Sequence, residues 1–340
     1  MESTTTIQSH PEIKLQITLK EECKDQGVLS IESFAPIHYQ YTLDRVIIHS
    51  LPSTLPATAL LPLLASQFCQ NSKLDIVHLQ TPISLDFAHS AIRQGIFDKL
   101  TVDKFSHQIL SCRRQTFWQN SLMWLPTTAS IHTPLNYMFT GEKRHPVRPP
   151  VISGEVYRRY LPRLKSTFSL RTIDPGVDLT SFNRWMNLEQ VAFFWDQAGS
   201  LEEHEVYLHE LLQDPRVHPL IGCFDNEPFA YFEVYWCKED RIAPFYDVQD
   251  YDRGWHVVIG ESKHQSAGKL KAWFQSLMHY IFLDDPRTQR ILGEPRLDHS
   301  RQIDFLKSQG YGHLKDIQLP HKQAALLRLE RETFFDSHHL

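Results

Sequence analysis

The chain has 340 residues, 41% hydrophobic and 22% charged, the balance of an ordinary globular protein with room for two domains. A net charge of −5 and a pI near 6.4 create no field that would gather nucleic acid or an anionic membrane surface. No apolar run reaches the length of a membrane span, and the start MESTTTIQSH lacks the basic and apolar regions of a secretion signal. Five cysteines without a CxxC pair argue against a disulfide framework and for a reducing, cytoplasmic setting. The histidines scatter without HxxxH or HExxH spacing, so no metal site is expected.

The N-terminal half opens with strand-like alternation of Ile13, Leu15, Ile17 and Leu19. GVLSIESF and QYTLDRVIIHSL read as further strands, TLPATALLPLLASQFCQ (54–70) as a helix and LDIVHLQ as one more strand. The stretch KFSHQILSCRRQTFWQNSLMWL is expected to be helical. This α+β region carries no catalytic motif. The proline-rich, basic and aperiodic GEKRHPVRPPV (141–151) reads as a linker. The expected division is an N-terminal α+β domain over 1–145, a linker over 146–164 and a C-terminal domain over 165–340.

In the C-terminal half FSLRTIDP is a predicted strand. Asn187, with Gln190 three residues on, is expected to cap a helix whose apolar stripe is Leu188, Val191, Ala192 and Trp195. Ser200 and Glu203 form a second capping-box pattern, opening a helix over 201–212 that Asp214-Pro215 closes. PLIGCF and PFAYFEVYWC flank Asp225-Asn226 as a hairpin. Then follow a strand at 255–259, a helix at 268–283, a strand at 289–293, a helix at 300–309 ended by Gly310, and a last strand near AALLRLE. Leu270, Trp273, Phe274, Leu277 and Ile281 give the 268–283 helix its core stripe.

Two strand–turn–helix units stand out, YDRGWHVVIGESKHQSAGKLKAW and RILGEPRLDHSRQIDFLKSQGY. With RWMNLEQVAFFW, HPLIGCFDNEPFAYFEVYWCKEDRI and LPHKQAALLRLERETFF they form five motifs over about 165–335. In these the chain resembles the GNAT-fold acyltransferases of siderophore biosynthesis, a group that includes the aerobactin, alcaligin and rhizobactin acetyltransferases and the mycobactin lysine N-acyltransferase. The resemblance implies an α+β GNAT fold, a mixed twisted sheet flanked by helices, behind an N-terminal α+β domain of open role. It implies acyl-CoA as co-substrate and a hydroxylated lysine, ornithine or diamine as acceptor, with a hydroxamate as product. Siderophore-pathway enzymes are the partners it suggests.

His256 is the leading candidate for catalysis. It sits in the strand WHVVI on the face opposite Trp255, Val257 and Ile259, and a nitrogen attacking a thioester must lose a proton that an imidazole is suited to accept. The family's G-x-H strand supports it. Asp298, just before a predicted helix, is read either as a helix cap or as a second acid/base group. The backbone of Val257, Val258 and Ile259 and the loop Gln265, Ser266, Ala267, Gly268 and Lys269 are the expected cofactor site, where small residues let phosphates approach a helix N-terminus. His299 stands where relatives carry asparagine beside the pantetheine arm, and Leu270 and Leu306 also depart from the GNAT pattern, the latter where a tyrosine often protonates the leaving thiolate. Tyr231, Glu233, Tyr235, Asp250, Arg253, His321 and Lys322 are candidate acceptor contacts. The competing functions are a GNAT acetyltransferase of another amine, such as an aminoglycoside or polyamine, and an acyl-CoA-binding module without turnover.

Overall fold

The computed structural model describes residues 4–8, 16–23, 26–31, 34–42, 44–126, 135–320, 322–337 and 340. Its backbone forms two compact units, Met1–Pro126 with His339–Leu340, and Thr127–His338. The second unit therefore starts well before the expected boundary at 165.

The first unit is built on one sheet. Its strands are β1 (Thr4–Gln8), β2 (Gln16–Cys23), β3 (Gln26–Ile31), β4 (Ile37–Tyr41), β5 (Arg45–Ile48), β6 (Ile76–Gln80), β7 (Lys99–Val102) and β8 (Gln108–Arg113). Helices α1 (Leu61–Gln70), α2 (Leu85–Arg93) and α3 (Arg114–Gln119) complete it. Strand order is β1-β2-β3-β4-β5-β6-β8-β7, antiparallel except for β5–β6. QYTLDRVIIHSL is thus two strands, β4 and β5, paired as a hairpin. The expected helix at 104–125 is also corrected. Gln108–Arg113 pairs with β6 on one side and β7 on the other, so sheet pairing overrides helical propensity and leaves only α3 and a short 3-10 turn at Ser121–Met123 helical.

In the second unit β9 (Tyr137–Thr140) and β10 (Lys143–Pro146) form a hairpin. The main sheet contains β11 (Glu155–Leu161), β12 (Ser166–Thr172), β13 (Val217–Phe224), β14 (Glu227–Trp236), β15 (Arg253–Ile259), β16 (Arg290–Gly293), β17 (Gly312–Gln318) and β18 (Gln323–Glu330). Around it lie α4 (Pro175–Met186), α5 (Glu189–Trp195), α6 (Leu201–Leu212), α7 (Ala267–Asp284), α8 (Ser300–Ser308) and α9 (Arg331–Ser337). Strand order is β11-β12-β13-β14-β15-β16-β18-β17, antiparallel except for β15–β16. This is the order of the first sheet, element for element. The main difference is an insertion: α4–α6 lie between β12 and β13, whereas only two residues separate β2 from β3.

The supposed linker is structural at both ends. Residues 155–161 are the edge strand β11, with Val156 and Tyr157 buried against the sheet. Arg148 forms two hydrogen bonds to the buried carboxylate of Glu239, at 2.5 and 2.7 Å, and Lys143 donates to the carbonyls of Glu239 and Asp240. These contacts fasten the β9–β10 region to the loop between β14 and β15. Helix α4 is likewise unexpected: Pro175 preorganises its first turn and the Asp174 side chain accepts from the Gly176 N–H. Asn187 consequently ends α4, and Leu188 occupies the N-cap of α5. The Ser200–Glu203 capping box and the Asp225-Asn226 turn are as expected, with both turn residues at positive φ.

One strand pairing opens the sheet. β15 pairs with β14 along its whole length, but with β16 only at Arg253–Ile291 and Gly254–Leu292. From Trp255 onward the two parallel strands diverge, leaving one edge of β15 without a neighbouring strand. Trp273, Phe274, Leu277 and Ile281 of α7 are buried, and Phe182, Trp185, Tyr231 and Val258 pack together under α4.

Candidate active site

The diverging strands open into a cavity of about 700 Å³. Its lining includes Trp255–Ile259 from β15, Gly293–Arg296 after β16, and much of α5 through Val191, Phe193, Phe194 and Trp195. His256 lies within this lining, its side chain 24% exposed.

Strand register determines what surrounds His256. Glu233 is its direct cross-strand partner, and β14 places Tyr231, Glu233 and Tyr235 on one face. Glu233 Oε2 lies 3.1 Å from His256 Nδ1, while Glu294 Oε1 lies 2.8 Å from Nε2. Each carboxylate is held in turn by phenols. Tyr207 of α6 and Tyr231 donate to Glu233 Oε1 at 2.6 and 2.9 Å, and Tyr235 donates to Glu294 Oε2 at 2.9 Å. Lys322 Nζ donates to the Glu294 carbonyl at 2.7 Å.

Electrostatics follow from that geometry. A neutral imidazole donates from one nitrogen only, whereas the imidazolium donates to both carboxylates. Burial works against the charged ring, but Glu294 and Glu233 outweigh it and raise the His256 pKa from 6.5 to about 9. Burial would raise the Glu294 carboxyl, yet His256 overcomes this and brings it down to about 2; Glu233 is lowered by the same balance. The three phenols are pushed up, first by burial and then by the adjacent carboxylates, and so remain donors. The assembly is a shared-proton unit of one imidazole between two buried acids.

Gly254 accounts for the spacing of the G-x-H strand. A Cβ at this position would lie 2.1 Å from the Tyr235 ring. That ring lies tilted beside His256, with centroids 4.8 Å apart, and its hydroxyl holds Glu294. Glycine lets Tyr235 lie flat over β15 and reach the acid beyond it.

The remaining candidates separate into groups. Val257, Val258, Ile259 and Gln265 line the cavity beyond His256, and Ser266, Ala267 and Gly268 form the exposed start of α7, where the first backbone N–H groups have no partner within the helix. Lys269 Nζ donates to His264 Nδ1 at 2.9 Å, and Lys263 pairs with Glu227. An open strand edge followed by an exposed helix N-terminus suits a thioester carbonyl and the phosphates of a CoA arm. His299, not Asp298, is the N-cap of α8: its Nδ1 accepts from the Gln302 N–H, and the ring lies 5.3 Å from that of Phe194. Leu306 is buried on the cavity wall, so no phenol occupies that position.

Several expectations are corrected. Asp298 is 65% exposed and bound by both nitrogens of the Arg296 fork, outside the cavity lining and away from the His256 hydrogen bonds. Tyr231 and Tyr235 are buried and act on the carboxylates instead of lining an acceptor channel. Arg253 is buried at the start of β15, paired with Asp284 and stacked on Trp236, while Asp250 accepts from Tyr137. Neither Arg253 nor Asp250 lines the cavity. His321 lies outside the described residues. Glu294, Tyr207 and Arg241 are the site residues that sequence reasoning missed. An acid ending the apolar strand RILGE was a signal for Glu294, whereas the other two come from elements distant in sequence.

Residues 174–319 match the model of the acetyltransferase (GNAT) domain. A solved structure of an uncharacterised protein from Bacillus halodurans superposes with a TM-score of 0.51 at 25% identity, covering 55% of this chain and 94% of that one. The site and fold therefore define an acyltransferase of the GNAT class. Among curated proteins, an Escherichia coli N(6)-hydroxylysine O-acetyltransferase is 41% identical over 65% of this chain and 70% of its own length. A Schizosaccharomyces pombe protein, provisionally named a lysine N-acyltransferase, is 37% identical over 76% and 77%. A Beauveria bassiana N(5)-hydroxyornithine:cis-anhydromevalonyl coenzyme A-N(5)-transacylase is 40% identical over 62% of this chain, which spans 47% of that protein. The chain belongs to the family of siderophore-biosynthesis acyltransferases. Among the described residues no helix is long and apolar enough to cross a membrane.

Proposed function

We propose that the enzyme transfers an acyl group from acyl-CoA to the hydroxylamine nitrogen of an N-hydroxylated lysine, ornithine or related diamine, giving a hydroxamate. The observation that carries this reading is His256, held between Glu233 and Glu294 at the mouth of the diverging strands. The names of the relatives supply the hydroxylated amino-acid acceptors.

Acyl-CoA supplies the activated carbonyl; the backbone of Val257–Ile259 and the Gln265–Lys269 turn would hold its arm. His256 accepts the proton that the attacking nitrogen loses as the N–C bond forms. The ring must first shed the proton it shares with the glutamates, so the base form is a minority at neutral pH. A β15 backbone N–H on the open edge would stabilise the oxyanion. The C–S bond then breaks, and the thiolate, of pKa about 8.5 as a free thiol, takes its proton from water. No covalent acyl-enzyme is required.

The test is mass spectrometry of products from a panel of acyl-CoAs with N-hydroxylated lysine, ornithine and cadaverine, alongside their plain amines. A ferric-ion colour assay separates hydroxamate from O-acyl product. Preference for the plain amines, or for an aminoglycoside, would replace this reading with the alternative amine acetyltransferase.

A further inference from the structure

We propose that Arg241 anchors a carboxylate on the acceptor, so that the enzyme selects an N-hydroxylated amino acid over the diamine lacking that carboxylate; this rests on the hydroxylamine reading above. Besides His256, three basic side chains line the cavity: Arg241, Arg296 and Lys322. Two are already engaged. Arg296 holds Asp298 through its fork, and Lys322 donates to the Glu294 carbonyl. Arg241 makes no hydrogen bond or ion pair with a described residue, and its side chain is exposed within the lining.

The backbone beneath Arg241 is rigidly held. Ile242, next to it, is fully buried, and its N–H donates to Asp240 Oδ1 at 3.1 Å. On the other side Lys143 grips the carbonyls of Glu239 and Asp240, and the Glu239 carboxylate is buried against Arg148. A planar guanidinium on such a base is preorganised for a two-point contact with a carboxylate.

Position distinguishes this cation from a phosphate ligand. Ile242, next to Arg241, packs with Tyr235, Cys237 and Leu292, and Tyr235 pairs with Gly254, so Arg241 lines the cavity from the Gly254 end of β15. The start of α7 instead follows Ile259, about 10 Å further along β15. An acceptor whose hydroxylamine meets His256 thus has its polar head near Arg241, and the CoA phosphates lie beyond the other end.

Steady-state kinetics of the full chain with N6-hydroxylysine and N-hydroxycadaverine test this, since the two differ at the carboxylate-bearing carbon alone. The wild type should prefer N6-hydroxylysine by roughly tenfold or more in kcat/KM. Arg241→Ala should raise the KM for N6-hydroxylysine by roughly 10- to 100-fold, the range expected for losing a charged hydrogen-bond pair. The KM values for N-hydroxycadaverine and acyl-CoA should move less than threefold, with an unchanged melting temperature. Equal use of both acceptors by the wild type, or a raised KM for acyl-CoA in the variant, overturns the assignment. Acylation of neither acceptor would instead sink the hydroxylamine reading on which it rests.

Discussion

In one sheet of this chain the parallel pairing begins at Arg45–His78 and runs on through Val46–Leu79 to Ile47–Gln80. In the other it begins at Arg253–Ile291 and stops after Gly254–Leu292. With Arg45 set against Arg253, cross-strand partners also correspond, Tyr41–Val46 with Tyr235–Gly254 and Tyr39–Ile48 with Glu233–His256. The counterparts of Glu233, His256 and Glu294 are then Tyr39, Ile48 and Thr81, all buried. The same strand order yields packed core in one unit and a shared-proton site in the other.

Three physical differences produce this outcome. Val46 stands where Gly254 leaves room for a flat tyrosine ring. Helix α1 begins with Pro62 in its first turn and apolar, buried neighbours, whereas α7 begins with an exposed Ser-Ala-Gly turn. The α4–α6 insertion, which has no room between β2 and β3, brings Tyr207 to Glu233 and lays α5 along the cavity. Strand order alone therefore does not make a site. A strand that outruns its parallel partner, and an insertion that covers the gap, do.

The contrast is sharpest at His256. His256→Ala should lower kcat by about 10²–10⁴-fold while acyl-CoA affinity, measured by calorimetry, stays within a few-fold. Retained activity would place the chemistry elsewhere.

The next effect is on pH dependence. Because the His256 pKa is raised to about 9, the base form grows nearly tenfold per pH unit well below it, and kcat/KM should climb about 50-fold from pH 7 to 9 before levelling. A rate that falls over that interval would make the imidazolium an acid instead. Stability runs the opposite way: the contribution of His256 protonation is complete below about pH 6.5, the unfolded value, and is lost as pH rises through 9. A melting temperature that rises between pH 8 and 10 would contradict the assigned ionisation.

Gly254→Ala drives a methyl into the Tyr235 ring and should cost about 1–3 kcal/mol in denaturant unfolding. It should also reduce kcat, since displaced Tyr235 releases Glu294; Tyr235→Phe in the same background relieves no clash and should not restore the rate. The smallest effect belongs to the first sheet. Thr81 Oγ1 is buried without a hydrogen-bond partner among the described residues, so Thr81→Val should change stability by less than about 1 kcal/mol and leave kcat unaltered. A tenfold loss of activity there would show that the two sheets are not functionally distinct.

Local chemistry determined a good deal of this protein from sequence alone. The Ser200–Glu203 box, the Asp225-Asn226 turn, the α7 stripe and the strand carrying His256 rest on neighbours in sequence, so their signals survive without tertiary context. Residues 108–113 did not, because their strand conformation depends on pairing with β6 and β7. The proline-rich stretch before 155 gave no sign of the Arg148–Glu239 pair, formed by groups 91 residues apart. His256 was legible as an ionisable group within an apolar strand. Its partners were not: Glu233 depends on antiparallel register, Glu294 on where β16 ends, and Tyr207 on a helix packed from an insertion. Only the folded sheet brought two acids onto one imidazole, and their charges, outweighing burial, raise its proton affinity.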